Sequence, residues 1–248
     1  MLSICIIFVT SLIATALSAM SGGGAGVINI PVMLALGISF PVASAAQKAA
    51  AAFWVLPASY NYLRDKKIKW RFLLIFSALG LIGVYGGVVS ILAISQRNLE
   101  IIVGVLILIL VTYVFFKKDV GLREKPITSK FRHALAYASS LVLGFYESFF
   151  GSGNGVLFSV VTFETQGFDF IDALGYYFAI AFAWDTFAVI LFASKGYFSW
   201  SVVAPMVLGA IIGGYLGSKY AKYKGNKFIK FMFVTIGAIL GLKLLIGF

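Results

Sequence analysis

Two glycine clusters carry the clearest chemical signal in this chain of 248 residues. The first reads Ser-Gly-Gly-Gly-Ala-Gly at Ser21–Gly26, and the second reads Gly-Ser-Gly-Asn-Gly at Gly151–Gly155. Glycines can interrupt a helix, and free N–H groups at a helix N-terminus attract oxyanions. We therefore expect a binding site for a small anion at these clusters. Its candidate residues are Ser21, Gly22, Gly23, Gly24, Gly26, Asn29, Gln47, Lys48, Gly151, Ser152, Gly153, Asn154 and Gly155.

The same glycines have two other interpretations. Small residues let membrane helices pack closely, and this role stays open for both clusters. A nucleotide-binding loop is not indicated, because no Gly-Lys-Ser or Gly-Lys-Thr follows Gly26 and no strand pattern precedes Gly22.

Three charged residues lie within strongly apolar sequence, namely Lys48, Glu147 and Asp185. A charge near the centre of a bilayer costs at least about 2.5 kcal/mol unless it is paired or hydrated. Lys48 either reaches the interface from the start of its helix or faces a cavity and attracts an anion. Glu147 or Asp185 either neutralises Lys48 or exchanges protons during transport. The sequence leaves these alternatives open.

The composition shows what kind of element must hold these residues. Hydrophobic residues make up 61% of the chain and charged residues 12%, and the first 47 residues carry no charge. Soluble domains are about half apolar and a quarter charged. The chain is therefore expected to be an all-α polytopic membrane protein in contact with lipids. Most basic residues lie in three loops, 64–71, 117–132 and 219–230, and the positive-inside rule explains them without a nucleic acid partner.

The tryptophans indicate an internal duplication. Trp54 and Trp184 are 130 residues apart, and so are Trp70 and Trp200. A fixed offset of this kind marks one unit written twice. We expect a first transmembrane repeat at 1–116, a basic cytoplasmic linker at 117–132 and a second transmembrane repeat at 133–248.

The loop charges favour opposite orientations for the two repeats. If loop 64–71 is cytoplasmic, inverted repeats place all three basic loops inside, whereas parallel repeats place loop 219–230 outside. Inversion puts both termini outside. Two short glycine-led segments, 22–36 and 151–166, either cross or re-enter. About eight spans are expected near residues 2–20, 42–62, 72–95, 99–116, 133–150, 171–194, 199–219 and 229–247.

Glycine-broken segments at matching positions of inverted halves are typical of secondary transporter binding sites. A passive anion channel is the alternative, since it would use the same breaks without coupling carboxylates. An enzyme is not indicated: His133 lies at a span boundary, Cys5 is the only cysteine, and no metal-ligand spacing occurs. No catalytic residue, metal or cofactor is therefore expected.

The doubled pattern resembles the sulfite exporter family typified by TauE and SafE, also called the toluene-sulfonate uptake permease family. The matching elements are a helix that breaks into glycines, a short segment and an alanine-rich helix, followed by a turn that leads to a tryptophan. In the first repeat they are Ser21–Gly26, Pro31 with Gly37, Ala43–Ala52 and Trp70, and in the second Gly151–Gly155, Gly167, Ala173–Ala183 and Trp200.

This resemblance implies secondary transport of sulfite, thiosulfate or organosulfonates across a bacterial-type plasma membrane. The chain departs from the family pattern in having Asn154 where a further glycine is common, and in lacking a proline that matches Pro31. These differences change the polarity of the expected site. The transported anion, its direction and the coupling ion are left open.

Overall fold

The computed structural model describes residues 2–90, 96–117, 119–149, 151 and 153–246. Within these ranges the chain forms ten α-helices and no strand, which confirms the all-helical prediction. The helices are α1 Leu2–Ser21, α2 Ala25–Ala35, α3 Phe40–Leu63, α4 Trp70–Ser90, α5 Gln96–Phe116, α6 Lys130–Phe149, α7 Asn154–Gln166, α8 Phe170–Ser194, α9 Trp200–Lys224 and α10 Asn226–Ile246.

Five of the described helices are long and apolar enough to cross a membrane, namely α1, α4, α8, α9 and α10. Many large apolar side chains on the helices face outward, as expected when lipid rather than water surrounds the protein. The membrane-protein prediction is therefore confirmed.

Helices α2 and α7 are short because glycines with positive φ precede them. Gly24 (φ 126°) comes directly before α2, and Gly153 (φ 82°) comes directly before α7. Non-glycine residues rarely adopt these angles. The helices have 11 and 13 residues, so each is at most about 20 Å long, whereas the hydrocarbon core is about 30 Å thick.

Close packing through small residues fixes the direction of α1 relative to α9. A Cβ atom on Gly213 would overlap the carbonyl oxygen of Leu12, and one on Gly217 would overlap that of Ala16. Both residue numbers rise together, so the two helices run in the same direction. Thr15 adds a hydrogen bond of 3.2 Å from its Oγ1 to the Ala210 carbonyl. Such contacts are the usual source of helix association in lipid.

Helix α3 also runs in the direction of α9. Trp54 lies against Gly214, and the side-chain amide of Asn61 donates to Ser218 Oγ at 2.9 Å. Since α1 and α3 are both parallel to α9, they are parallel to each other. The short helix α2 between them therefore returns the chain toward the side from which α1 began.

Equivalent helices of the two halves pack in opposite directions. Lys48 of α3 contacts Asp185 of α8 near the middle of both helices, and Ser59 donates to the Gly175 carbonyl nearer the end of α3. The pair α5 and α10 behaves alike: Gly104 meets Gly241, whereas Val111 meets Gly237.

A lysine compensates for the proline inside α2. Pro31 has no N–H, so it cannot bond the Val27 carbonyl one turn earlier. Lys243 of α10 donates from its Nζ to this oxygen at 3.0 Å. The interaction attaches the short helix to the last long one and satisfies a polar group at membrane depth.

Candidate functional site

A buried lysine lies between two carboxylates at the centre of the helix bundle. Lys48 Nζ is 3.0 Å from Glu147 Oε1 and 2.8 Å from Asp185 Oδ1, and all three side chains are at most 5% exposed. Three helices supply them: α3, α6 and α8. The alanines around Lys48 are buried and lack bulk, which lets the neighbouring helices approach this part of α3.

The Lys48 ammonium has no donor left for another group. Besides the two carboxylates, it donates to the backbone carbonyl of Glu147. A lysine ammonium carries three N–H donors and no acceptor. The structure thus favours the pairing interpretation of Lys48 over the one in which it reaches the interface.

The two carboxylates differ in their surroundings. Glu147 Oε2 accepts from the Asn154 amide at 2.6 Å and from the Tyr177 hydroxyl at 2.8 Å, in addition to the Lys48 contact at Oε1. Asp185 contacts the ammonium through Oδ1 alone among the printed donors of the described residues. Multiple donors stabilise the ionised form of a carboxylate. Glu147 is therefore firmly held as an anion, whereas Asp185 is not.

A small cavity adjoins this cluster, with about 30 Å³ available to the centres of water molecules. One water needs about 10–15 Å³ by this measure, so the cavity has room for about two. The lining combines glycines of both clusters with polar and apolar side chains of α3, α6 and α8. It consists of Gly23, Gly24, Ala25, Gly26, Gln47, Lys48, Ala51, Trp54, Val55, Glu147, Gly151, Tyr177 and Asp185.

The two glycine clusters meet next to the cavity. A Cβ atom on Gly23 would lie 3.1 Å from the Gly153 amide nitrogen, and one on Gly22 would lie 3.2 Å from that of Val156. A Cβ on Gly155 would overlap the carbonyl oxygen of Gly22. The close-packing interpretation of the sequence thus applies here, and the N-termini of α2 and α7 converge as a result.

The sequence-predicted site residues divide into two groups. Gly23, Gly24, Gly26, Gln47, Lys48 and Gly151 line the cavity, together with both predicted coupling carboxylates. Ser21, Gly22, Asn29, Gly153, Asn154 and Gly155 are not among its lining residues. Ser152 lies outside the described residues.

The second group supports the first through short contacts. Asn29 donates to the Gln47 side-chain oxygen at 2.9 Å, and Asn154 holds Glu147. Ser21 donates to the carbonyl of Leu17 or of Gly23. In this structure these polar side chains therefore position other groups, in contrast to the direct anion contacts expected from the sequence.

Tyr177 was missed by the sequence reasoning, although the duplication could have found it. It lies 130 residues after Gln47, so the same offset that relates the tryptophans relates these two lining residues. Ala51 and Val55 gave no signal, because small and apolar residues in an apolar helix are common. Trp54 lines the cavity, whereas its counterpart Trp184 stacks on Phe76 and is not a lining residue.

A second acidic group lies outside the helix core. Ligand oxygens of Glu124, Asp169 and Asp172 are within 4.8 Å of one another. Lys66 Nζ lies 3.1 Å from Glu124 and 2.9 Å from Asp172, so an ammonium already balances part of the charge. Its hydrogen bond holds the pKa of the Glu124 carboxyl below the ordinary value of 4.5. This cluster attaches the segment between α5 and α6 to α8.

A bundle of apolar helices with a buried charged site between two broken helices defines the class of polytopic membrane transport proteins. The chain belongs to the sulfite exporter TauE/SafE family, whose model matches residues 7–244. It therefore belongs to a family of membrane transporters, as the sequence resemblance implied.

Curated relatives extend over nearly the whole chain. A "Probable membrane transporter protein" of Haemophilus influenzae is 29% identical over 96% of this chain and 93% of its own length. The "Probable membrane transporter protein YfcA" of Escherichia coli is 24% identical over 97% of this chain and 88% of its own length. The "Probable membrane transporter protein ORF9" of Sinorhizobium is 27% identical over 96% and 91%. No solved structure is significantly similar to the chain.

Proposed function

We propose that this protein is a secondary transporter that moves small sulfur-containing anions across a bacterial-type plasma membrane by alternating access. The observation that carries the proposal is the central cavity, where Lys48 lies beside the converging N-termini of α2 and α7. Helix N-termini and a lysine together provide the positive potential that an oxyanion needs in a low-dielectric region. The family name supports sulfur oxyanions as cargo. Transport, rather than catalysis, is the activity proposed.

The helix directions support two inverted repeats, 1–116 and 133–248, joined by the linker 117–132. Equivalent helices α3 and α8 run antiparallel, and so do α5 and α10, as inversion requires. In this arrangement the eight long helices cross the membrane, and α2 and α7 return the chain within it. Each repeat then reverses the side of the chain, and both termini lie outside.

The size of the cavity supports small anions as the cargo of this conformation. Room for about two waters is comparable with the volume of an inorganic sulfur oxyanion. An organosulfonate would fill it with the sulfonate group alone. Its tail would then displace the apolar wall formed by Ala51 and Val55. Sulfite and thiosulfate therefore come before organosulfonates as candidates.

The charge of the cluster supports coupling to protons at Asp185. One ammonium neutralises one carboxylate, and Glu147 is the better stabilised of the two. An ionised Asp185 would leave a net negative charge beside an incoming anion. Protonation of Asp185 removes that repulsion, so anion binding and proton binding are expected to accompany each other.

Uptake by proteoliposomes tests the proposal directly. We expect saturable uptake of sulfite or thiosulfate that shows counterflow and responds to an imposed proton gradient. Uptake without counterflow or gradient dependence would indicate a passive anion channel. A folded protein that transports no sulfur anion would contradict the proposal.

A glycine pair sharpens the assignment of the site. Gly24→Ala introduces a Cβ that overlaps Leu240 at a position with φ 126° next to the cavity. Gly196→Ala has a similar backbone strain at φ 80°, but a Cβ there would meet nothing within 4 Å. We expect Gly24→Ala to abolish uptake and Gly196→Ala to retain it. Equal uptake by both folded variants would contradict the placement of the site.

A further inference from the structure

The two equivalent mid-span tryptophans have different hydrogen bonding. Trp184 donates from Nε1 to the Ser77 carbonyl at 2.9 Å. Trp54 is 4% exposed, and its Nε1 is buried without a hydrogen-bond partner among the described residues. An unpaired buried N–H costs about 1–3 kcal/mol, so such a group calls for an explanation.

The position of Trp54 suggests what the N–H is for. The residue lines the central cavity together with Lys48 and Gln47. Phe178 packs edge-on against its ring, with the centroids 4.9 Å apart, and Gly214 leaves no room for a Cβ behind it. The indole is therefore fixed in place by its neighbours. Its ring nitrogen is a donor only, so the missing partner must be an acceptor.

The other donors around the cavity are largely committed. All three donors of Lys48 bond to Glu147 and Asp185, and the Tyr177 hydroxyl donates to Glu147. Lys48 thus supplies charge but no hydrogen bond to a ligand. An anion in the cavity needs donors from elsewhere. Asn29 occupies the Gln47 oxygen, which leaves the amide NH₂ of Gln47 as a second side-chain donor beside Trp54.

We propose that Trp54 Nε1–H donates a hydrogen bond to the transported oxyanion and so makes Trp54 a substrate-binding residue of the first repeat. Trp184, its counterpart, is a structural residue whose donor is used within the helix bundle. The duplication thus supplied the same residue twice, and only one copy faces the substrate. This inference rests on the proposed transport of anions through the central cavity.

Two matched phenylalanine variants test the inference. Trp54→Phe removes one N–H and keeps an aromatic ring, and Trp184→Phe makes the same chemical change in the other repeat. We expect Trp54→Phe to raise the half-saturation concentration for sulfite or thiosulfate about tenfold or more, because donors to charged acceptors contribute strongly. Trp184→Phe should leave it within about twofold.

Stability without anion should show the opposite ranking. Trp184→Phe loses the bond to Ser77 and should lower Tm, whereas Trp54→Phe loses no bond in the empty protein. An unchanged half-saturation concentration in Trp54→Phe, or an equal rise in both variants, would overturn the inference. If the wild-type protein neither binds nor transports either anion, the proposed function fails with it, and the two failures are distinguishable.

A measurement on the wild-type protein keeps the test independent of folding of the variant. The four indole N–H groups can be labelled with ¹⁵N and assigned with Trp70→Phe, Trp184→Phe and Trp200→Phe, which leaves the Trp54 signal by elimination. Saturating sulfite should shift the Trp54 N–H proton downfield and leave that of Trp184 in place. A Trp54 signal that does not respond to a bound anion would overturn the inference.

Discussion

At the scale of residues, Lys48 is the centre of the site and the two carboxylates around it have different tasks. Glu147 accepts from Lys48, Asn154 and Tyr177, so it closes a network that includes three other helices. Asp185 is held only by the ammonium among these groups. A buried carboxylate with many donors is a structural anion, whereas one with few is suited to gain and lose a proton.

Substitution of each carboxylate by its amide should separate these tasks. Glu147→Gln places an NH₂ group among donors, and we expect a loss of about 1.5–3 kcal/mol in stability, measured as a fall in Tm of the detergent-solubilised protein. Asp185→Asn should retain most of the stability and the counterflow of anion, but uptake should no longer respond to a proton gradient. A gradient response that survives in Asp185→Asn would contradict the role of this residue.

At the scale of elements, the short helices depend on groups that replace missing backbone bonds. Gly24 and Gly153 allow α2 and α7 to begin inside the bundle. Within α2, Lys243 bonds the Val27 carbonyl that Pro31 leaves unpaired. Broken helices persist at membrane depth only when protein groups satisfy them in this way.

A double-mutant cycle tests the role of Lys243. Lys243→Met should destabilise the protein by about 1–3 kcal/mol, because the Val27 carbonyl loses its donor. In a Pro31→Ala background the alanine N–H can bond that carbonyl, so the same change should cost much less. Thermal unfolding of the four proteins measures the difference. Equal costs in both backgrounds would show that Lys243 acts in another way.

The segment between α5 and α6 is held partly by a pair that responds to pH. Lys66 lowers the pKa of Glu124, so this contact stabilises docking above about pH 4.5 and is lost as the pH falls through the lower folded value. We expect amide exchange in residues 119–129, corrected for its intrinsic rate, to rise slightly between pH 6 and pH 4. The effect is small because Glu124 is 61% exposed. Glu124→Gln should remove this pH dependence.

At the scale of the whole molecule, the arrangement of equivalent helices is the feature from which alternating access would arise. Helices α3 and α8 cross antiparallel at Lys48 and Asp185, so residues of both halves share one site. Inverted halves around a shared site can open to either side of a membrane by exchanging conformations. The duplication would then determine the mechanism of transport as well as the fold.

Cysteine labelling tests the proposed orientation. In a Cys5→Ser background, Asp65→Cys and Lys224→Cys should react only with reagents that reach the cytoplasm. Lys195→Cys should react with impermeant reagents added outside intact cells, because inversion places the loop after α8 on that side. Labelling of Lys224→Cys from outside would indicate parallel repeats and contradict the proposed topology.

Much of the architecture could be predicted because it depends on local properties of the chain. Apolar runs predict membrane helices, glycine clusters predict where they break, and the spacing of Trp54 and Trp184 predicts a duplication. These features need no knowledge of which helix touches which. The candidate site was predicted in part for the same reason, since Gly24, Gln47 and Lys48 follow directly from the broken helix and its neighbour.

Only the tertiary structure decided how these residues are used. Glu147 and Asp185 lie 99 and 137 residues from Lys48, and their contact requires three helices to pack with defined rotations. Helix rotation also brings Trp54 to the cavity and Trp184 to a backbone carbonyl, although the two positions are equivalent in sequence. Hydropathy and glycine conformation are encoded locally, whereas the partner of a buried polar group depends on the packing of helices distant in sequence.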